Sequence, residues 1–148
     1  MRKSIIFIAH DPGGFDVVYP VFARLSRHFA SDLMCVGPAA ALGPSFAIPK
    51  EKCAQMVHER LAGGSVALLV TGTSWGSDFE MECISLCKEF GVPTVSILDY
   101  WTNYALRFSG TGKEGYPDFY IVMDELAYRE ALAEGVPARI LRLLGHPG

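Results

Sequence analysis

Three short stretches of this chain carry residue types that can do chemistry, and each follows an apolar run. The first is His10-Asp11-Pro12-Gly13-Gly14. An imidazole and a carboxylate side by side can take up a proton, so His10 or Asp11 is a candidate general base. Gly13 and Gly14 stand just before a helical pattern, where free backbone N–H groups can hold a phosphate or a sugar hydroxyl. The same residues have a plainer reading. Asp11 then caps a turn, His10 hydrogen-bonds inside, and the glycines only permit close backbone packing.

The second stretch is Gly72-Thr73-Ser74-Trp75-Gly76, which fits G-x-S-x-G between an apolar run and a helical pattern. That is the setting of a nucleophilic serine. Asp99 and His146 follow Ser74 in the chain order of an α/β serine hydrolase. Against this, Ser77 and Glu80 form a capping-box pattern that starts the next helix near Asp78, later than an elbow serine requires. The chain is also short for such a hydrolase. The favoured reading is a loop whose Thr73 and Ser74 hydroxyls and amides face a ligand, with Trp75 covering the sheet edge or stacking on that ligand.

The third stretch, Asp99-Tyr100-Trp101-Thr102-Asn103-Tyr104, opens a long loop over residues 99–117. Loops of that length are uncommon unless they are functional or mobile. Aromatic rings beside amide and carboxylate groups suit a sugar, whose apolar face stacks while its hydroxyls are bonded. Alternatively, Tyr100 and Trp101 pack beneath the loop. Farther on, Gly110-Thr111-Gly112-Lys113-Glu114-Gly115 fits G-x-G-x-x-G, but Tyr116-Pro117 follows rather than a helix. The context of a dinucleotide fingerprint is therefore missing, and Lys113-Glu114 is not a Walker motif.

The elements that must hold these stretches alternate along the chain. Ser4–Ala9 is almost continuously apolar, as a strand buried on both faces requires. Phe15, Val18, Phe22, Leu25 and Phe29 then recur at helical steps, with Asp16 as N-cap so that Pro20 falls in the first turn. A short strand over 33–36, a loop over 37–49 and a helix over 50–61 follow. Further strands are expected over 66–71, 92–98, 119–123 and 139–144. One helix carries Phe79, Cys83, Leu86, Cys87 and Phe90 on one face. Another is capped by Asp124 and ended by Gly135, an exit through Gly-Val-Pro that repeats the one at Gly91. This alternation predicts an α/β, Rossmann-like domain with an open parallel sheet of about six strands and helices on both faces. Ligands bind such sheets beyond the carboxyl ends of the strands, where all three stretches fall.

The chain has 148 residues and a net charge of −3, half of its residues are apolar and 20% are charged. This suits one well-buried domain, and the lack of a basic block excludes nucleic acid as a main partner. No apolar run reaches the ~18 residues of a membrane span. His10 and Asp11 interrupt the N-terminal apolar run too early for a signal peptide. With Cys35, Cys53, Cys83 and Cys87 read as reduced core thiols, the expected location is cytoplasmic. Cys83 and Cys87 lie four apart on a helix, but no second pair completes a metal site.

As an ordered set, these stretches resemble the N-terminal domain of B-type glycosyltransferases and of the related UDP-N-acetylglucosamine 2-epimerases. H-D-P-G-G-F-D-V-V-Y-P is similar to that fold's first glycine-rich loop. T-G-T-S-W-G-S-D and G-V-P-T-V-S-I-L-D-Y-W-T-N-Y resemble later strand-end loops, and P-D-F-Y-I-V-M-D-E-L-A with L-L-G-H-P resembles the run into the interdomain hinge. The resemblance implies an acceptor-side domain over 1–144, with Gly145-His146-Pro147 opening a hinge to a donor-binding domain. It implies Asp11 or His10 as the base. Gly13, Gly14, Thr73, Ser74, Asp99, Tyr100, Trp101 and Asn103 would contact a small-molecule or glycan acceptor. It implies no metal and no cofactor in this chain, since the nucleotide-sugar donor belongs to the second domain, and hence no transfer by these residues alone. The epimerases carry a His-Val-Glu-Ala-Gly type signature where this chain has Ile97-Leu98-Asp99-Tyr100-Trp101, a departure from the epimerase pattern. A serine hydrolase using Ser74, Asp99 and His146, or a free-standing sugar-phosphate or nucleotide binding module, are the alternatives.

Overall fold

The computed structural model describes residues 3–74, 77–108 and 115–145. Within them, β1 (Ser4–Ala9), β2 (Ser31–Cys35), β3 (Val66–Thr71), β4 (Thr94–Ile97), β5 (Phe119–Val122) and β6 (Leu141–Leu143) form one sheet in the order β2-β1-β3-β4-β5-β6. Every pairing is parallel. The helices are α1 (Pro12–Leu25), α2 (Lys50–Ala62), α3 (Phe79–Glu89) and α4 (Glu125–Ala133). This is the Rossmann-like α/β fold that the alternation predicts.

Why β1 reads as a solid apolar run is visible in its packing. Side chains alternate across a strand, so a strand covered on both faces must be apolar at every position. Ile6 and Ile8 enter the larger core with Val57, Ile84 and Ala127 of α2, α3 and α4. Ile5, Phe7 and Ala9 enter the other core with Val17 and Val18 of α1. Phe7 is fully buried against the edge of the Phe22 ring, with centroids 5.5 Å apart.

The first helix starts five residues earlier than the sequence suggests. Pro12, not Pro20, occupies its first turn, and Asp11, not Asp16, is at the N-cap. Pro20 lies inside the helix, where it removes one backbone donor. Gly13 and Gly14 therefore belong to the first helical turn instead of preceding it. The helix ends at Leu25, which leaves Phe29 outside it and exposed. Residues 37–49 contain two short 3-10 turns, Gly37–Ala41 and Pro44–Phe46. Phe90 likewise lies beyond α3 and is exposed, so it takes no part in the buried face of that helix. β4 is shorter than 92–98, and β6 begins at Leu141 after a 3-10 turn over Ala138–Ile140. Both helix exits behave as expected, with Gly91 at φ +70° and Gly135 at φ +97°. Asp124 caps α4, its carboxylate accepting from the Ala127 amide at 2.8 Å.

From β1 the chain moves to one side of the sheet to make β2, then returns across β1 to make β3. The strand order thus reverses direction between β1 and β3, and connections leaving the two strands on opposite sides open a crevice at their carboxyl ends. The loops after Ala9 and Thr71 are the two lips of that crevice.

Candidate functional site

At the first lip, His10 is buried and its Nδ1 lies 2.6 Å from Asp11 Oδ1. Its Nε2 edge faces Gly37, where an added Cβ would come within 2.8 Å of that nitrogen. Gly37 also has φ +54°, so a side chain there is excluded by the backbone and by the ring together. Asp11 is partly exposed and makes no side-chain cap bond to α1. Its carboxylate is oriented by His10, and the Gly13 and Gly14 amides take no acceptor from it. The pair thus divides its roles. Asp11 is the partly exposed member, and His10 is the buried partner behind it.

The second lip presses directly on the first. A Cβ on Gly72 would lie 2.8 Å from the Gly14 Cα, so the turn after β3 crosses the first turn of α1 with no room for a side chain. Below it, Thr71 Oγ1 and Ser96 Oγ are 2.7 Å apart and tie the ends of β3 and β4. Ser74 is buried, and both its amide and its hydroxyl donate to Glu80 Oε1 at 2.8 Å. Glu80 is itself buried, and its second oxygen, Oε2, has no hydrogen-bond partner. Burial raises the Glu80 carboxyl from its ordinary range to about 7, against the lowering effect of the two Ser74 bonds, and nearby Asp11 and Asp99 raise it further.

Glu80 is therefore not the second half of a capping box. Ser77 Oγ accepts from the Phe79 amide at 3.2 Å, but the Glu80 carboxyl turns inward to Ser74 rather than back to Ser77. The same contact bears on Ser74 as a nucleophile. Its hydroxyl donates to a buried carboxyl, and it precedes the first residue of α3 by a stretch that includes Ser77 and Asp78. Asp99 is engaged elsewhere, as follows, and His146 lies outside the described residues, as do Trp75, Gly76, Pro147 and most of the second glycine-rich stretch.

Asp99, at the end of β4, closes the group. Its Oδ1 accepts from Arg107 at 2.7 Å and lies 3.5 Å from Thr73 Oγ1. Its Oδ2 sits where a Cβ on Gly13 would be. The Arg107 side chain is almost fully buried and also donates to the Thr73 carbonyl and hydroxyl and, through Nε, to the Thr102 carbonyl at 3.0 Å. One guanidinium thus fixes the second lip, the loop after β4 and the Asp99 carboxylate together, a task suited to its planar set of donors.

His10, Asp11, Gly13, Gly14, Thr73, Ser74 and Asp99 therefore form one connected set. Tyr100 and Trp101 do not pack beneath their loop. They are exposed, edge to face at 5.7 Å, with Trp101 Nε1 donating to Asp124 Oδ2 at 2.9 Å. Asn103 has φ +53° and its carbonyl accepts from the Arg107 amide. Its evident role is to make the turn that aims Arg107, a conformation asparagine adopts more readily than most residues. Tyr104 and Phe108 of this loop are buried, the Tyr104 hydroxyl donating to Glu130. Gly145, after β6, has φ +85°. All four cysteines are free and buried, with Cys53 pushed up to about 12 by burial. Among the described residues no group of three His, Cys, Asp or Glu side chains is arranged to hold a metal ion. No helix is long and apolar enough to cross a membrane among them.

Arg107, Glu80, Gly37 and Gly72 were not legible as site residues from their types and spacing. Gly72 alone had a signal, its place in the G-x-S-x-G pattern.

No family model matches the chain, and no curated protein matches it. Solved structures do. The UDP-N-acetylglucosamine 2-epimerase of Neisseria meningitidis, solved with UDP-GlcNAc bound, is similar with a TM-score of 0.66 at 9% identity, over 98% of this chain and 47% of that one. The UDP-N-acetylglucosamine 2-epimerase of Rickettsia bellii is similar with a TM-score of 0.65 at 16% identity, over 99% of this chain and 46% of that one. The chain thus spans less than half the length of the structures it matches, and at these identities the likeness is one of fold.

Proposed function

We propose that this chain is the acceptor-side half of a two-domain enzyme that transfers a sugar from a nucleotide-sugar donor. The observation that carries the reading is the Asp11 carboxylate. It is oriented by a buried imidazole and stands at the switch point of the sheet, beside the Asp99 carboxylate and the glycine-lined start of α1. The fold it shares with sugar-nucleotide enzymes supports the reading, and so does its match to under half of their length.

In this reading an acceptor hydroxyl approaches Asp11 from the open side of the crevice. Asp11 takes the hydroxyl proton as the acceptor oxygen bonds to the anomeric carbon of the donor. The bond from that carbon to the diphosphate oxygen breaks, and the nucleoside diphosphate leaves with the electron pair. His10, with its proton on Nδ1, donates to Asp11 and holds its orientation. Asp99 stands across from Asp11 at the end of β4, held by the buried Thr73 and Arg107, and the exposed Tyr100 and Trp101 rings of the same loop are free to stack on a sugar.

The test uses these residues joined to a donor-binding half and supplied with a panel of nucleotide sugars and acceptors. Asp11→Asn is expected to lower kcat by about 10²-fold or more, the usual worth of a general base. The 148 residues alone are expected to turn over no nucleotide sugar. Turnover by these residues alone, or an unaffected Asp11→Asn enzyme, contradicts the reading.

A further inference from the structure

The buried Glu80 carboxyl is unusual in three respects that do not depend on any ligand. It comes from the first turn of α3, yet both of its bonds go to one residue of another segment, the amide and the hydroxyl of Ser74. Its second oxygen has no partner although it is enclosed by protein. That oxygen lies against the place where the two lips cross, 3.1 Å from where a Cβ on Gly72 would be, and Gly72 itself abuts Gly14.

We propose that Glu80 is a positioning residue that latches the turn 72–74 onto the start of α1, and that the latch holds while its carboxyl carries a proton and loosens when the proton leaves. A neutral carboxyl can accept both Ser74 bonds at Oε1 while the proton resides on Oε2. Ionised, the same group has an enclosed, unpartnered oxygen bearing negative charge, which is costly away from water. The charged groups facing it give no relief. Asp11 at the α1 start and Asp99 at the end of β4 both oppose its ionisation. The Arg107 guanidinium is committed to Asp99, Thr73 and Thr102. His10 is bonded to Asp11, and within α3 the residue one turn on is the buried thiol of Cys83, itself held neutral by burial. Hydration of Oε2 requires the 72–74 turn to lift away, which carries Thr73 off Asp99 and Arg107 and reshapes the second lip. The placement of Thr73 and Ser74 then depends on pH near neutrality, because the Glu80 carboxyl titrates at about 7.

The experiment needs only the chain itself. Amide proton–nitrogen NMR spectra and hydrogen-exchange rates are recorded from pH 5.5 to 8.5 on the wild type, Glu80→Gln and Ser74→Ala. In the wild type the Ser74 amide is expected to titrate with a midpoint near 7, and its exchange protection to fall above that midpoint by more than the base-catalysed increase seen at the Phe7 amide in β1. Glu80→Gln keeps the shape of the latch but cannot ionise, so the titration vanishes and protection persists. Ser74→Ala removes one of the two bonds that favour the ionised form, so the titration, read at the Glu80 side-chain carboxyl carbon, moves to higher pH. A Ser74 amide that is flat across this range in the wild type overturns the proposal. So does one that titrates unchanged in Glu80→Gln. These readouts stand whether or not the chain serves a sugar transferase.

Discussion

The Asp99 carboxylate rests on the first turn of α1, so closely that a Cβ built on Gly13 would lie 1.9 Å from Asp99 Oδ2. This contact joins the end of β4 to the start of the helix after β1, two segments far apart in the chain. It makes three neighbouring glycines unequal. Gly13→Ala would drive Asp99 off its seat, and Gly72→Ala would meet the Gly14 Cα at 2.8 Å. Gly14→Ala would find its nearest neighbour at an ordinary 3.7 Å. Overpacking costs about 1–3 kcal/mol, whereas alanine in place of glycine inside a helix gains up to about 1 kcal/mol. Urea unfolding is expected to show Gly13→Ala and Gly72→Ala destabilised, and Gly14→Ala neutral or slightly stabilised.

Arg107 is the hinge-pin of the site's polar network. Arg107→Ala strands the Asp99 carboxylate and the Thr73 carbonyl in a nearly dry setting. Breaking a buried ion pair from one side costs about 3–5 kcal/mol, and unfolding measurements on this variant are expected to fall in that range. Arg107→Lys restores the charge without the planar set of donors that reaches Asp99, Thr73 and Thr102 at once. It is expected to recover only part of the loss. A fully recovered lysine variant would mean that charge alone holds the loop.

Glu80 also leaves a mark on global stability, and its sign is fixed. Its folded-state carboxyl is raised, from 4.5 to about 7, so the unfolded chain releases its proton first. The stability associated with this group is therefore fully present below pH 4.5 and is lost as pH rises through about 7. Each unit of the upward shift corresponds to about 1.4 kcal/mol. Measured by denaturant unfolding, the wild type is expected to lose stability relative to Glu80→Gln across that window and to run parallel to it above. A wild type that gains on Glu80→Gln as pH rises would contradict the assignment.

The sheet was legible because its inner strands, β1 above all, are buried on both faces, which writes short apolar runs into the sequence between helical patterns. The start of α1 was harder. Pro12 and Pro20 both suit a first turn by type, and only packing chooses between them. Moving the start to Pro12 drew Gly13 and Gly14 into the helix, where Asp99 and Gly72 meet them. Strand-end position pointed to His10, Asp11, Thr73, Ser74 and Asp99, which the structure places in one connected set. It gave no means of finding Arg107, which reaches back across an aperiodic loop after a left-handed turn at Asn103. Glu80 was misread because a local rule, the capping box, accounts for its spacing from Ser77, while its actual partner, Ser74, lies six residues away on the far side of a turn.

The most direct measurement of the central claim, that the crevice between β1 and β3 takes the sugar, is an amide NMR titration of the 148-residue chain with millimolar free hexoses and N-acetylhexosamines. The account predicts that at least one of these sugars shifts the Gly13, Gly14, Thr73 and Ser74 amides together, and that Asp11→Asn weakens the response. Shifts absent with every sugar, or gathered instead around Lys88, Gly91 and Phe119 in the shallow groove lined by those residues, would contradict it.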